Sequence, residues 1–443
     1  MIFNTKKLKI TSLLLLAATL SFGQSNTSAL LPLPNRIEQM TGKKNFVLTP
    51  RTTIKTNLPK QLQRILGERT GQVADIGAPS TSGNSVIEIE LDPSIKGKEH
   101  YMLDISEKKL SIKGSSHAAL FYGLKTLDQI LLGDVCNTAN NQIAPIRIDD
   151  EPRYGYRALM LDPARHFLPV EDVKFYINQM AKYKYNVLQL HLTDDQGWRV
   201  EIKKHPRLTE IGAFRNPKTG SNGPDNGFYT QEQLKDLIKY AADRNVEIIP
   251  ELDIPGHTVA VLATYPELGC THTDTIQKIM GQTVDLMLCA NNDKVYTVYD
   301  DIIKEIADIF PSSKIHLGGD EAVIEKNWTK CTHCQDLMKQ LGYTKESQLM
   351  NYFFDKILAS VRKYGKEPML WCELDNVRMP ANEYLFDYPK DATLITWRAG
   401  LTPKCIELTA KHGNPLIMAP GEYTYLDYPQ LKGDLPEFKN WGM

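Results

Sequence analysis

The densest chemistry in this 443-residue chain lies in KIHLGGDEA, residues 314–322, where an apolar run meets two glycines and then two adjacent acids, Asp320 and Glu321. Side chains on a regular strand alternate between faces, so both carboxylates can serve one site only where the strand has ended or bent. Gly318 and Gly319 supply that freedom. Adjacent acids suit a division of labour in which one moves a proton and its neighbour holds a group on the substrate. Taken alone, the same nine-residue stretch is compatible with a solvated acidic pair on a loop. Other apolar runs end in comparable fashion: Asp162 and Arg165, His191 and Asp194, Glu251 and Asp253, Trp371 and Glu373, and Trp397 all follow short hydrophobic stretches.

The elements that must position these groups are short apolar strands alternating with amphipathic helices. Seven such strands begin at Ala158, Val187, Glu247, Lys314, Pro368, Thr393 and Pro415. Near-continuous apolar strands between helices imply a parallel sheet covered on its faces. An open doubly wound sheet and a (β/α)8 barrel compete. No glycine-rich phosphate loop opens the first helix, which counts against the nucleotide-binding open sheets. In a barrel the strand ends converge on one mouth, which is where the polar residues fall. The expected fold is therefore α/β, a TIM-type barrel over residues 151–443 whose eighth strand is not visible before Met443. Before it, residues 24–150 read as a small α+β domain. Alternating runs near 45–48, 86–91, 101–105 and 110–112 suggest strands, a serine-capped amphipathic helix spans about 115–132, and the polar, proline-containing stretch around 150 marks the boundary.

Composition narrows the function classes. Lysine plus arginine (52) almost equals aspartate plus glutamate (53), so no basic surplus attracts nucleic acid or anionic lipid. Residues 1–23 read as a signal peptide, with Lys6, Lys7 and Lys9 ahead of an apolar run too short to span a bilayer. An exported protein, periplasmic or secreted and without a membrane anchor, is expected. Seven cysteines are too few for a disulfide scaffold. Cys270 and Cys289 bracket a Thr-rich stretch they could close. Cys331 and Cys334 form a CxxC, read as a local disulfide or two thiols, because a four-ligand zinc site would need a second CxxC or paired histidines.

Retaining glycosidases commonly hold two carboxyl groups about 5 Å apart from separate strands, a geometry that adjacent acids do not readily meet. If Glu321 is the acid/base and Asp320 holds the substrate, the substrate itself must supply the nucleophile. At this point the chain resembles glycoside hydrolase family 20, the β-N-acetylhexosaminidases. The resemblance runs from about residue 30 to the end and is carried by MLDPARHF (160–167), HLTDDQGWRVEIKKHPRLTEIGA (191–213), ELDIPGH (251–257) and HLGGDEA (316–322). It implies a retaining exo-enzyme acting on terminal N-acetylhexosamine through an oxazolinium ion formed by the substrate's acetamido group. Family roles would make Glu321 the general acid and then base, with a pKa raised by partial desolvation. Asp320 would accept the acetamido N–H, and Tyr425 would bond the acetamido carbonyl oxygen. Trp371 and Trp397 would wall the acetamido pocket, Arg165 and Asp427 would bind sugar hydroxyls, and Asp194 with His257 would support the general acid. No cofactor and no catalytic metal are implied.

The resemblance also calls for a further strand after YLD, ending in a tryptophan and a glutamate, whereas this sequence closes with EFKNWGM. A fragment truncated at its C-terminus, poorly soluble and weakly active alone, is the expectation that follows. Two rival readings are a metal-dependent barrel hydrolase using His191, Asp194, Asp195, His257 and Asp320, and a catalytically impaired carbohydrate-binding fragment. The choice between gluco and galacto substrates, the natural glycan and the oligomeric state stay open.

Overall fold

The computed structural model describes residues 30–48, 52–56, 85–132, 142–214, 225–270, 286–374 and 383–426. The segment read as a signal peptide, Asp427 and the chain end lie outside these residues. The chain divides into two compact units. One comprises residues through Arg157 together with Asn178–Asn186, and the other comprises Ala158–Ile177 and the residues from Val187 onward.

The first unit contains β1 (Arg36–Gln39), β2 (Phe46–Val47), β3 (Thr53–Thr56), β4 (Val86–Leu91), β5 (Tyr101–Ile105), β6 (Lys109–Gly114), α1 (His117–Leu132), β7 (Gln142–Ile143) and β8 (Ile146–Asp150). Six strands form one sheet in the order β1-β8-β5-β6-β4-β3, while β2 and β7 pair separately. The period-two pattern that makes β5 a strand buries Tyr101, Leu103 and Ile105 and turns Met102 outward. At the start of α1 the Ser116 hydroxyl accepts the Ala119 N–H at 3.1 Å, so the expected serine cap is present. The stretch read as a polar boundary contains β8. Its alternation buries Ile146, Ile148 and Asp150, and the Asp150 carboxylate accepts from Tyr101 Oη at 2.8 Å and Lys184 Nζ at 3.0 Å.

The second unit runs β9 (Ala158–Leu161), α2 (Val170–Lys182, shared with the first unit), β10 (Val187–Asp194), β11 (Gly197–Trp198), α3 (Arg207–Glu210), α4 (Gln231–Ala242), β12 (Glu247–Ile254) and α5 (Val259–Thr264). It continues with α6 (Asp293–Ile309), β13 (Lys314–Gly318), α7 (Thr332–Leu341), α8 (Glu346–Lys363), β14 (Glu367–Trp371), β15 (Thr393–Thr396), α9 (Thr402–His412), β16 (Leu416–Met418) and α10 (Gly421–Thr424). The strands β9, β10, β12, β13, β14, β15 and β16 pair in parallel in strict chain order, with β11 folded back antiparallel on β10. A doubly wound sheet reverses its strand order at a switch point; this one does not, which is the winding of a TIM-type barrel. No eighth parallel strand occurs among the described residues.

Local sequence explains the helices between the strands. Thr230 caps α4 reciprocally with Gln233: its Oγ1 accepts the Gln233 N–H at 3.1 Å, and Gln233 Oε1 accepts the Thr230 N–H at 2.9 Å. Along α6 the residues Val295, Val298, Tyr299, Ile302, Ile303, Ile306 and Ile309 are all buried, the three-and-four spacing of one helix face. Gly342 and Gly413, at φ 67° and 86°, end α7 and α9 in the left-handed conformation that spares other residues the strain.

Candidate active site at the strand ends

Glu251 on β12 stands at the centre of the barrel's polar layer. It shares register with His191 on β10 and His316 on β13, so the three side chains project from neighbouring strands in one direction. Gln189 Nε2 donates to Glu251 Oε2 at 2.8 Å, and Trp371 Nε1 donates to Oε1 at 2.9 Å. His191 Nδ1 and His316 Nδ1 lie 3.1 and 3.2 Å from the same carboxylate. Burial opposes ionisation of Glu251, yet the imidazoles of His316 and His191 prevail and hold its carboxyl well below the usual range. This buried carboxylate ties four strands together beneath the mouth and orients the Trp371 indole.

Above that layer, β13 ends as its glycines allow. Gly318 and Gly319 adopt φ 65° and 94°, and Glu321 itself is at φ 46°. A Cβ on Gly318 would lie 1.7 Å from Asp253 Oδ1, the same oxygen that accepts the Gly319 N–H at 3.2 Å. This tight left-handed turn brings Asp320 and Glu321 toward one imidazole. His257 Nε2 lies 3.7 Å from Asp320 Oδ2 and 3.5 Å from Glu321 Oε2. Asp320 is largely buried, and its Oδ1 has no hydrogen-bond partner among the described residues. A buried acceptor without a donor costs free energy unless something else supplies one.

Charge in the mouth runs along a relay. Arg165 clamps Asp162 at 2.6 Å and Asp194 at 2.9 Å. Asp194 faces His191 Nε2 at 2.9 Å and His257 Nδ1 at 3.3 Å. Burial disfavours the His257 imidazolium, but Asp194, Asp195 and Glu321 outweigh it and push its pKa well above the ordinary histidine value. His257 is itself a non-glycine residue at positive φ, 53°, a strain of the kind found at functional sites.

The expected rise in the Glu321 pKa is reversed. Its hydrogen-bonding contact with His257 lowers the pKa; desolvation opposes the shift, and the charges of His257 and Arg398 reinforce it. Desolvation loses because Glu321 is half-exposed and sits between two cations, with Arg398 Nη2 at 3.3 Å from Oε1. Arg398 carries no signal in the sequence beyond standing next to Trp397. Its Nε is 3.2 Å from Glu373 Oε1, which also accepts the Trp397 indole N–H at 2.8 Å. Burial raises Glu373 to about 7, with Arg398 partly offsetting it.

The structure thus gathers Arg165, Asp194, His257, Asp320 and Glu321, and places Trp371 and Trp397 edge to face with ring centroids 6.5 Å apart. Tyr425 is half-buried just past α10, beyond the end of β16. Asp427 lies outside the described residues. Asp162, Asp253, Glu251 and Arg398 have no role in the sequence reading and Asp195 enters only its metal-dependent alternative, although all but Arg398 fall inside the motifs that carry the resemblance. Residues of the metal-dependent reading do approach one another: Asp194, Asp195 and His257 offer ligand atoms within 4.8 Å, and His257 and Asp320 do so together with Asp253, which that reading does not include. In both triads His257 already faces carboxylates on its two nitrogens and supplies positive charge there itself.

Residues 154–443 match the catalytic domain of glycosyl hydrolase family 20, and residues 27–151 match domain 2 of the same family. A beta-hexosaminidase of Porphyromonas gingivalis is 36% identical over 90% of this chain and 51% of its own length. A beta-hexosaminidase of Akkermansia muciniphila is 38% identical over 77% of this chain and 66% of its own. The chain therefore spans between about half and two thirds of the length of these relatives. Among solved structures, an exo beta-N-acetylglucosaminidase of Vibrio harveyi in complex with N-acetylglucosamine superposes with a TM-score of 0.75 at 34% identity, covering 92% of this chain and 63% of that one.

Proposed function

The chain belongs to glycosyl hydrolase family 20, and from that premise we propose that it is a retaining exo-β-N-acetylhexosaminidase acting through the substrate's own acetamido group. The observation that carries the reading is the unpartnered, buried Asp320 Oδ1 beside Glu321 in one turn. An acetamido N–H is the donor that oxygen lacks. Held there, the acetamido carbonyl oxygen attacks the anomeric carbon while the glycosidic C–O bond breaks and Glu321 delivers a proton to the departing oxygen. Asp320 stays beside the resulting oxazolinium cation and stabilises it. Water then adds to the anomeric carbon, opening the ring, and Glu321 takes a proton back.

The lowered Glu321 pKa fits this cycle if the proton is shared across the His257–Glu321 contact. Before substrate binds it resides on His257, 3.5 Å from Oε2, with Asp194 stabilising the imidazolium from behind. The pair titrates as a unit. Trp371 and Trp397 enclose the acetamido methyl, Arg165 grips ring hydroxyls through its fork of donors, and Tyr425 bonds the acetamido carbonyl.

A chromogenic N-acetyl-β-glucosaminide tests the reading. Turnover on the order of 1–1000 per second is expected, and Glu321→Gln should lose ~10²–10⁴-fold on substrates with poor leaving groups but much less on activated aryl glycosides. Binding without turnover by the wild-type chain, or equal losses for both leaving-group classes, would overturn it.

A further inference from the structure

Four of the cysteines, unused by the proposed chemistry, meet at one point. Cys270 and Cys289 are distant in sequence, but an antiparallel bridge between Gly269 and Leu288 sets them side by side. The Cys270 N–H donates to Met287 O at 3.3 Å and the Cys289 N–H to Leu268 O at 2.8 Å. Cys331 and Cys334 come from the start of α7, where Cys331 is the N-terminal cap and Cys334 lies in the first turn. A CxxC there places two sulfurs on one side of the helix, at the end whose dipole favours thiolates. The second cysteine pair that a four-ligand site requires is thus supplied by the fold rather than by a second CxxC.

The spacing of the sulfurs discriminates between the chemistries open to them. Cys270 Sγ lies 3.8 Å from Cys334 Sγ, and Cys289 Sγ lies 3.9 Å from Cys331 Sγ and 3.7 Å from Cys334 Sγ. All four fall within 4.8 Å of one another. A tetrahedral zinc ion with Zn–S bonds of about 2.3 Å needs S···S edges of about 3.8 Å. Disulfides need two pairs at about 2.05 Å, with no reason for Cys289 to stand equally far from both cysteines of the CxxC. Cys289, Cys331 and Cys334 are buried and Cys270 is partly exposed, leaving a way in for an ion. The surroundings are built as well. The Asn291 side chain donates to His333 O at 2.8 Å inside the CxxC. Trp328 Nε1 donates to Leu288 O at 2.8 Å, fastening the loop before α7 to the bridge.

We propose that Cys270, Cys289, Cys331 and Cys334 form a structural tetrathiolate zinc site that joins the segment following His257 to the segment following Glu321. Soft thiolates in tetrahedral array select zinc among the common divalent ions, and a closed four-sulfur shell leaves no position for substrate. The ion would brace the loops behind the two residues that share the proton without taking part in the reaction.

The full chain, purified without chelator or added metal, should carry close to one zinc by elemental analysis and release it as a mercurial titrates four thiols. Removal of that zinc and addition of Co(II) should give the sulfur-to-cobalt charge-transfer and tetrahedral ligand-field bands of a cobalt tetrathiolate. Cys334→Ser should abolish stoichiometric zinc, Cys334→His should retain it, and Cys405→Ser, outside the cluster, should leave it unchanged. If a variant fails to fold, the cobalt spectrum of the wild-type chain decides alone. Two disulfides among these cysteines, iron in place of zinc, or four free thiols that take up no cobalt would each overturn the proposal.

Discussion

Gly318 tests how the turn that carries Asp320 and Glu321 is built. Alanine there must adopt φ near the observed 65°, which costs a residue with a side chain roughly 1–2 kcal/mol. Its Cβ would also arrive 1.7 Å from Asp253 Oδ1, against the 3.0 Å below which real Cβ contacts essentially do not occur. Something must therefore yield by at least ~1.3 Å, and forcing excess volume into a packed site adds about 1–3 kcal/mol. Gly342→Ala is the matched control: φ is 67°, and nothing lies within 4 Å of the added carbon, so only the backbone cost of about 1–2 kcal/mol applies. Urea unfolding should show Gly318→Ala destabilised by ~2–5 kcal/mol, clearly more than the control. Activity should separate the two further. Asp253 holds the Gly319 N–H and so sets where Asp320 and Glu321 stand, and a displacement near 1 Å costs on the order of 10²-fold in rate. Equal stability losses for the two variants, with turnover intact in Gly318→Ala, would refute the claim that close packing against Asp253 shapes this turn.

Two titrations follow from the charges in the mouth. His257→Gln removes the cation that lowers the Glu321 pKa, so the limb of the kcat/KM profile set by Glu321 should move to higher pH on an activated aryl substrate; an unmoved limb would uncouple the pair. Glu373 is raised to about 7 by burial, so the folded chain holds a proton that the unfolded chain releases near 4.5. Stability is then lost as pH climbs from about 4.5 through about 7, and Glu373→Gln should flatten that part of the curve; an unchanged slope in chemical denaturation would contradict the assignment.

The barrel was legible because its strands are buried on both faces. Every residue of β10 and all but the first of β12 are buried, and such runs between amphipathic helices have few other readings. All seven strands begin within one residue of the sequence reading, and only the two edge strands, β9 and β16, differ in character, being half-exposed. In the first unit, β1, β3 and β8 escaped notice because RIEQ, TIKT and IRIDD are short and polar at alternate positions, and their apolar residues make sense only once partners are known. The turn at Gly318 and Gly319 could be read from two glycines after an apolar run. Glu321's depressed pKa could not, since it depends on Arg398 reaching across from the end of β15 and on His257 from the end of β12. Nor could the meeting of four cysteines: Cys270 and Cys289 are legible as the ends of one loop, but nothing local shows that the CxxC of Cys331 and Cys334 packs against them.

The central claim is that the acetamido oxygen of the substrate is the nucleophile, positioned by Asp320. The most direct measurement is kcat/KM for one aryl leaving group across N-acetyl, N-fluoroacetyl, N-difluoroacetyl and N-trifluoroacetyl β-glucosaminides. Fluorine withdraws electrons from that oxygen while scarcely changing the shape of the ligand, so the rate should fall steeply and monotonically along the series. The decline should become shallower in Asp320→Asn, where the group is no longer held for attack. A flat series in the wild-type chain would mean that the nucleophile comes from elsewhere and would contradict the account.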